Sequence, residues 1–195
     1  MRNLVLQMQT SVDGRVASNN GESWQVWGWG EEWPWDESLK RDFNAALATV
    51  GCILLSRPMV EQGYLDHWMR IAKVLEADPH GSFASRIGEV EKVVLSDTLT
   101  ASRWKRTTIA RGPIAEAVGA LKRAGTGDII CFGGVGFASS LVAAGVVDEY
   151  QFYVNPTAVG SGKSIFRTTT SLRLLGSTSY DCGIVLSRYT HSGAN

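Results

Sequence analysis

The chain has 195 residues, and its 19 Lys+Arg and 19 Asp+Glu give a formal net charge of zero at pH 7. The length and the 44% hydrophobic content favour one globular domain with a substantial core, and they exclude disordered and fibrous classes. The balanced charge argues against nucleic acid or an anionic membrane as the main partner. No apolar run approaches the roughly 18 residues of a spanning helix, and no signal-peptide cleavage pattern is present, so we expect a cytoplasmic protein.

Cysteine and histidine give no indication of a metal or disulfide site. Cys52, Cys131 and Cys182 lie far apart inside apolar runs, which is typical of buried reduced thiols. The three histidines have no ligand spacing and no associated carboxylate or cysteine motif. We therefore expect no metal, and no Ser-His or Cys-His catalysis.

Predicted strands and helices alternate along the chain. Apolar residues alternate over 4–10, which predicts a first strand that ends in the turn pair Asp13-Gly14. Helical spacing, Pro and Gly predict helices at 39–50, 64–76, 113–123 and 137–144. Apolar runs predict strands at 52–55, 93–95, 104–110, 128–132 and 150–154, and a terminal hairpin at 172–179 and 183–189. This order indicates an α/β fold with a mostly parallel sheet and an antiparallel edge.

Residues 18–35 interrupt the alternation and contain five of the seven tryptophans, namely Trp24, Trp27, Trp29, Trp33 and Trp35. Their rings could form a lid that stacks on a planar heteroaromatic substrate. Alternatively, most of them belong to a satellite core or to a subunit contact.

Segment 130–137 places glycines where a buried strand turns into a helix. Without a Cβ in the way, backbone N–H groups at such a junction can approach a pyrophosphate. The spacing is not G-x-G-x-x-G, and no acidic residue ends a strand about 20 positions further on, so the ordinary dinucleotide fingerprint is absent. A tight turn that packs the helix closely on the sheet is the alternative.

Other phosphate-binding signals are weaker. The sequence Gly160–Ser164 contains the Gly-Lys-Ser of a P-loop, but Thr157 stands where the first glycine is required, so we reject a nucleotide triphosphatase. Arg57 follows a buried strand and could form paired hydrogen bonds with a phosphate, and Ser96 places a hydroxyl at a second strand end. Each of the two residues also fits an ordinary solvated loop.

Some polar residues are candidates for a pocket. Asp36 falls near the apolar face of its helix, where a carboxylate could hydrogen-bond a heteroaromatic ring or relay a proton. It is also a natural helix N-cap. Gln7 and Gln9 share one face of the first strand, where they either meet neighbouring backbone or line a pocket.

Five segments occur in an order that is hard to obtain by chance: Thr10–Ala17, Ile53–Arg57, Lys92–Leu99 with Trp104, Gly133–Gly136, and Val147–Glu149 followed by Pro156, Gly160, Gly162 and Phe166. Together they resemble the dihydrofolate reductase superfamily, and in particular its bacterial branch similar to the reductase domain of riboflavin biosynthesis. The resemblance covers most of the chain. It implies a three-layer fold, with helices on both faces of a mainly parallel sheet that has an antiparallel C-terminal strand.

The resemblance implies that NADPH lies across the strand ends. Arg57 and Ser96 would hold its 2′-phosphate, the glycine segment its pyrophosphate, and Val16 and Ala17 would flank the nicotinamide. The full set of implied cofactor-binding residues is Val16, Ala17, Ser56, Arg57, Leu95, Ser96, Phe132, Gly133, Gly134, Val135, Gly136, Phe137 and Ser164.

The substrate would lie among Thr10, Asp13, Trp35 and Phe43, with Asp36 as the candidate catalytic acid. The resemblance also implies a cis Gly133-Gly134 peptide, and a homodimer to which exposed tryptophans would contribute.

The chain departs from the family pattern at some positions. Ser56 and Met59 stand where Gly and Thr are common, and Asp97 adds negative charge beside the implied 2′-phosphate site. Leu39 falls near the place of the acidic residue that dihydrofolate reductases carry on the first helix. We therefore favour an NADPH-dependent reductase of a small heteroaromatic or ribosylamino-pyrimidine substrate, with a pterin reductase and a non-catalytic nucleotide-binding relative as alternatives.

Overall fold

The computed structural model describes residues 1–193 and contains two sheets and helices on both faces of the larger one. The strands are β1 Leu4–Ser11, β2 Ala17–Ser18, β3 Val50–Ser56, β4 Glu91–Leu95, β5 Thr107–Ala110, β6 Asp128–Cys131, β7 Glu149–Asn155, β8 Gly162–Lys163, β9 Leu172–Ser179 and β10 Val185–His191. The helices are α1 Glu37–Ala48, α2 Arg57–Glu61, α3 Tyr64–Val74, α4 Ser82–Glu89, α5 Ile114–Arg123 and α6 Val135–Ala143.

The main sheet has eight strands in the order β5-β4-β3-β6-β1-β7-β10-β9. The first six of these strands are parallel to one another, and β10 and β9 add an antiparallel hairpin at one edge. Strands β2 and β8 form a separate antiparallel ribbon. This arrangement confirms the predicted α/β fold with its antiparallel C-terminal edge.

The two faces of the sheet carry two separate cores, because successive side chains of a strand point to opposite faces. On β3, Ile53 and Leu55 belong to the core with α1, α3 and α4, whereas Cys52 and Leu54 belong to the core with α6. All four side chains are buried. The continuous apolar run that predicted a buried strand thus serves both layers.

Two helices, the β2–β8 ribbon and one peptide differ from the expectations. Helix α2 follows β3 directly, and α4 lies in the predicted loop before β4. Gly81 and Gly88 at the ends of α4 give this segment the composition of a loop, while Phe83 and Ile87 bury its inner face. No peptide bond in residues 1–193 is cis, so the cis Gly133-Gly134 expectation is wrong; both glycines adopt positive φ instead.

The tryptophan segment is part of the core, which corrects the expectation of exposed tryptophans. Trp24, Trp27, Trp33 and Trp35 are buried and Trp29 is half-buried. The segment covers a part of the sheet face beside α1: Gln9 of β1 donates to the Trp27 carbonyl at 2.8 Å, and Trp35 stacks on Tyr153 of β7 at 5.5 Å. The rings are buried because they provide apolar cover for this face.

Within residues 1–193, no helix combines the length and the apolarity needed to cross a bilayer.

Candidate cofactor and substrate site

The carboxyl ends of neighbouring parallel strands meet at one edge of the sheet, which is where open α/β sheets bind ligands. Strands β4, β3 and β6 are successive neighbours, so Ser96, Arg57 and Gly133 follow adjacent strand ends. Ser56 is buried, and a Cβ built on Gly134 would lie 3.7 Å from its Oγ atom. The end of β3 and the glycine turn after β6 therefore lie side by side.

The glycine turn has a backbone that suits a bound anion. Gly133 has φ +117° and Gly134 has φ +37°, and a Cβ on Gly133 would come within 3.0 Å of the Met8 sulfur. Helix α6 starts at Val135 without a side-chain cap, and its first bond back to the turn is from Ala138 N to Gly134 O, at 2.9 Å. The preceding N–H groups of the first turn have no intrahelical acceptor, which makes this helix end suited to a phosphate.

Two arginines stand at the strand ends. Arg57 is exposed and lies 3.7 Å from Glu61, one helical turn further on. Arg111, which the sequence interpretation missed, follows β5 and donates to the carbonyls of Asp97 and Leu99. Its signal is an arginine directly after a strand, the same pattern that singled out Arg57. Besides Arg57, a second arginine therefore lies at this edge of the sheet, in contact with the backbone of Asp97.

Ser96 and Asp97 already have local hydrogen-bond partners. The Ser96 hydroxyl accepts from Thr98 N at 3.3 Å and Leu99 N at 3.0 Å, and the Asp97 carboxylate accepts from Gly112 N at 2.9 Å. These bonds hold the loop after β4 against the start of the loop after β5. The half-buried Leu95 is the last residue of β4.

The ribbon of β2 and β8 holds the residues implied near the nicotinamide. Val16 N donates to Lys163 O at 2.9 Å, and Ala17 pairs with Lys163. A Cβ on Gly162 would meet the Ala17 carbonyl at 2.1 Å, so only glycine permits this approach. Gly162 and Lys163 form β8 and no helix begins after them in the described residues, so the helix start that a P-loop requires is absent from this segment. Ser164 follows the ribbon and accepts from Phe166 N at 3.2 Å.

Asp13 anchors the loop before this ribbon. Its carboxylate accepts from Ser11 Oγ at 2.6 Å, Val159 N at 2.9 Å and Gly160 N at 2.8 Å. The Ser11 bond is the largest cause that lowers the pKa of Asp13 to about 2, so this carboxylate is ionised at neutral pH. Thr10 lines a separate cavity of about 200 Å³ with Val16.

Asp36 is the N-cap of α1. Its Oδ1 atom accepts from the backbone N–H groups of Ser38 and Leu39, both at 3.0 Å, and its Oδ2 atom accepts from Cys182 N at 3.0 Å. Burial acts to raise the pKa of Asp36, but these bonds and one from the Ser38 hydroxyl outweigh it and hold the pKa far below 3.8. A carboxylate held ionised in this way is poorly suited to donate a proton, so the geometry supports the capping alternative.

An aromatic cavity of about 170 Å³ opens between α1, α3 and the end of β6. We call it the aromatic cavity; its lining residues are Trp29, Phe43, Met59, Tyr64, His67, Trp68, Ile87 and Phe132. Trp35 lies behind this wall, with its ring centroid 5.4 Å from that of Phe43. Of the four predicted substrate residues, Phe43 therefore lines this cavity and Trp35 supports it, whereas Thr10 and Asp13 lie elsewhere.

Sequence interpretation missed the α3 residues of the cavity. Tyr64, His67 and Trp68 are spaced i, i+3, i+4 and so share one face of the helix, which was the signal available. A larger groove of about 700 Å³ lies at the opposite end of the sheet, beside Asn3 and Glu149. It contains none of the strand-end residues, so its greater size does not make it the candidate site.

The predicted glutamines do not line the aromatic cavity. Gln7 donates to Gln151 Oε1 at 2.9 Å, and Gln9 accepts from Asn155 at 3.2 Å while donating to the Trp27 backbone. Both side chains are buried. Gln9 therefore meets neighbouring backbone, as one of the two alternatives predicted, whereas Gln7 bonds to side chains of β7.

The strand order and the glycine turn define a dihydrofolate-reductase-like fold. The family model of the RibD C-terminal domain matches residues 2–186, so the chain belongs to this family. The chain is 23% identical over 197 residues to the uncharacterized protein YyaP of Bacillus subtilis strain 168, covering 98% of this chain and 96% of that protein.

Solved structures show the same fold. A Shewanella sp. PV-4 protein provisionally assigned to riboflavin biosynthesis has a TM-score of 0.67 at 18% identity, covering 97% of this chain and 99% of that one. Dihydrofolate reductase from Enterococcus faecalis, solved in complex with NADP(H) and RAB-propyl, has a TM-score of 0.56 at 10% identity, covering 97% of this chain and 96% of that one. Both confirm the superfamily resemblance at the level of the fold.

Proposed function

We propose that this protein is an NADPH-dependent reductase that transfers a hydride to a small heteroaromatic substrate. The substrate class is that of the riboflavin pathway, of which 5-amino-6-(5-phosphoribosylamino)uracil is an example. Family membership supports a reductase of this general kind. The observation that carries the cofactor assignment is the convergence of Ser56, Gly133 and Gly134 at the uncapped start of α6. Such a helix end stabilises a phosphate through backbone N–H groups and the helix dipole.

In this proposal each part of the strand edge holds one part of the cofactor. The α6 start binds the pyrophosphate, and Arg57 binds the 2′-phosphate with Ser96 beside it. The ribbon residues Val16 and Ala17 position the nicotinamide. When bound, NADPH supplies the hydride, while the chain aligns the two rings and excludes water.

The site argues against folate as the substrate. Leu39, which stands near the place of the superfamily's acidic residue, is fully buried in the core and leaves no carboxylate there. Asp36, an acidic neighbour of Leu39, has one carboxylate oxygen in the helix cap and the other in the Cys182 contact. We therefore favour a substrate whose reduction does not need a carboxylate at this position.

The proposal is tested by titration of the protein with NADPH and separately with NADH, followed by quenching of tryptophan fluorescence. NADPH should bind more tightly, and Arg57→Ala should weaken NADPH by about tenfold or more while leaving NADH nearly unchanged. Arg123→Ala, which removes an exposed arginine at the end of α5, is the matched control. If neither cofactor binds, the protein is a member of the family that binds another ligand and is not a reductase.

We also propose a homodimer. The edge strand β9 exposes Leu174 (53%) and Leu175 (44%), which supports an apolar contact at this edge. Light scattering after size-exclusion chromatography tests the proposal, and a monomeric mass at micromolar concentration would contradict it.

A further inference from the structure

The aromatic cavity has room for a single ring. Its volume is about 170 Å³, and an apolar protein cavity of about 150 Å³ is known to hold benzene. Phe132 lines it and directly precedes the glycine turn. A ring in this cavity would therefore lie beside the proposed cofactor turn.

Three polar atoms of the cavity's residues have no hydrogen-bond partner within the described part of the chain. They are Tyr64 Oη, His67 Nε2 and Trp68 Nε1, and each is buried from solvent. Burial also raises the pKa of Tyr64 far above its ordinary value, so its hydroxyl keeps its proton. The Tyr64 hydroxyl and the Trp68 indole lie close enough to interact weakly but form no hydrogen bond of good geometry, and His67 Nε2 has no such neighbour among the described residues. Buried polar groups are normally paired, so these atoms on one helix face indicate a ligand that pairs them.

These atoms offer donors to a ligand. Arg70 Nη2 lies 3.3 Å from His67 Nδ1, and because arginine can only donate, Nδ1 accepts and a neutral ring carries its proton on Nε2. The Trp68 indole can also only donate, and Tyr64 can donate or accept. A complementary ligand therefore carries acceptor atoms such as carbonyl oxygens or ring nitrogens.

The cavity has no charged side chain that could neutralise a phosphate. Its lining contains no Lys, Arg, Asp or Glu. In the proposed function Arg57 is occupied by the 2′-phosphate of the cofactor. The other arginines around the neighbouring helices face carboxylates: Arg70 faces Glu31 at 3.8 Å, and Arg103 faces Asp66. A phosphorylated substituent would thus meet balanced charge at this end of the molecule.

We propose that the aromatic cavity binds an uncharged, planar single-ring substrate with carbonyl or aza acceptors, and that recognition does not extend to a phosphate. This inference rests on the proposed reductase function, because it takes the ring beside the glycine turn to be the hydride acceptor. It separates this chain from a reductase that selects a phosphoribosylamino substrate by its phosphate.

The test uses isothermal titration calorimetry of the full chain, with and without NADPH, under anaerobic conditions. The probes are 5,6-diaminouracil and the same ring with its phosphoribosyl group, 5-amino-6-(5-phosphoribosylamino)uracil. We expect 5,6-diaminouracil to bind, and the phosphorylated probe to bind no more than about threefold more tightly. Tyr64→Phe and Trp68→Phe should each weaken 5,6-diaminouracil by about fivefold or more, the range expected for losing one buried hydrogen bond.

The matched control is Trp104→Phe. Trp104 is also buried with an unpaired Nε1 atom but lies outside the cavity lining, so this variant should bind both probes as the parent does. Tyr64→Phe removes a single hydroxyl, so it carries the test if Trp68→Phe does not fold.

Three results would overturn the inference: no binding of 5,6-diaminouracil, an advantage of about 30-fold or more for the phosphorylated probe, or unchanged affinity in both cavity variants. NADPH binding that depends on Arg57, without any ring binding, would overturn this inference alone. Ring binding that depends on Tyr64, without NADPH binding, would overturn the proposed function and leave a ring-binding cavity.

Discussion

Replacing Asp36 separates its capping role from a catalytic one. Asp36→Ala removes the N-cap of α1, which contributes about 1 kcal/mol, and the bond from Cys182 N, which contributes about 1 kcal/mol more. We therefore expect the free energy of unfolding to fall by about 2 kcal/mol. Asp36→Asn keeps the capping oxygen but presents an amide N–H to Cys182 N, so it should lose about 1 kcal/mol.

The pH dependence of this stabilisation has a definite sign. Because hydrogen bonds hold the folded-state pKa of Asp36 below its ordinary value of 3.8, the ionised form stabilises the fold. That contribution is fully present above about pH 4 and is lost as the pH falls toward the folded-state pKa. The stability difference between the parent and Asp36→Asn should therefore shrink below pH 4.

Stability is measured by urea denaturation followed by tryptophan fluorescence at pH 7 and at pH 3.5. Catalysis is measured as kcat for NADPH oxidation with a substrate that the parent protein reduces. A capping residue predicts that Asp36→Asn keeps kcat within roughly threefold of the parent. A general acid predicts a loss of about 10²-fold or more. The capping argument is refuted if Asp36→Asn folds with nearly full stability but loses kcat by that factor, or if Asp36→Ala is as stable as the parent.

Two further substitutions test the aromatic cavity and the ribbon. Tyr64→Phe removes a buried hydroxyl that makes no well-formed hydrogen bond within the described residues, so the urea midpoint of the ligand-free protein should not fall. A loss of about 1 kcal/mol would show that the hydroxyl is paired, with the Trp68 indole as the partner. Gly162→Ala places a Cβ 2.1 Å from the Ala17 carbonyl, so it should separate β2 from β8 and weaken NADPH binding about tenfold or more. Gly176→Ala, at a strand glycine whose Cβ would meet nothing within 4 Å, is its control, and equal NADPH affinity in the two variants would contradict the ribbon's role.

Local patterns were sufficient for much of the fold and for part of the candidate site. Apolar residues at alternating positions over 4–10 and the apolar run at 52–55 predicted β1 and β3, because a buried strand leaves a record in residue order. The alternation did not show that both faces of β1 are buried, including its polar residues. The capping alternative for Asp36 was also visible, since a cap depends on the next three residues. Short elements with ambiguous composition were missed, as α4 shows.

The amino-acid sequence by itself determined the order of the longer strands and of four helices, the glycine turn after β6 and the arginine after β3, because each depends on contiguous residues. Only the tertiary structure decided that the tryptophan segment packs as core, that Asp13 anchors a loop through Val159 and Gly160, and that Arg111 joins the strand edge. Only the tertiary structure shows that α3 and Phe132 line the same aromatic cavity. Periodicity shows which face of an element is buried, but the surface that covers this face lies far away in the chain, and no local pattern records it.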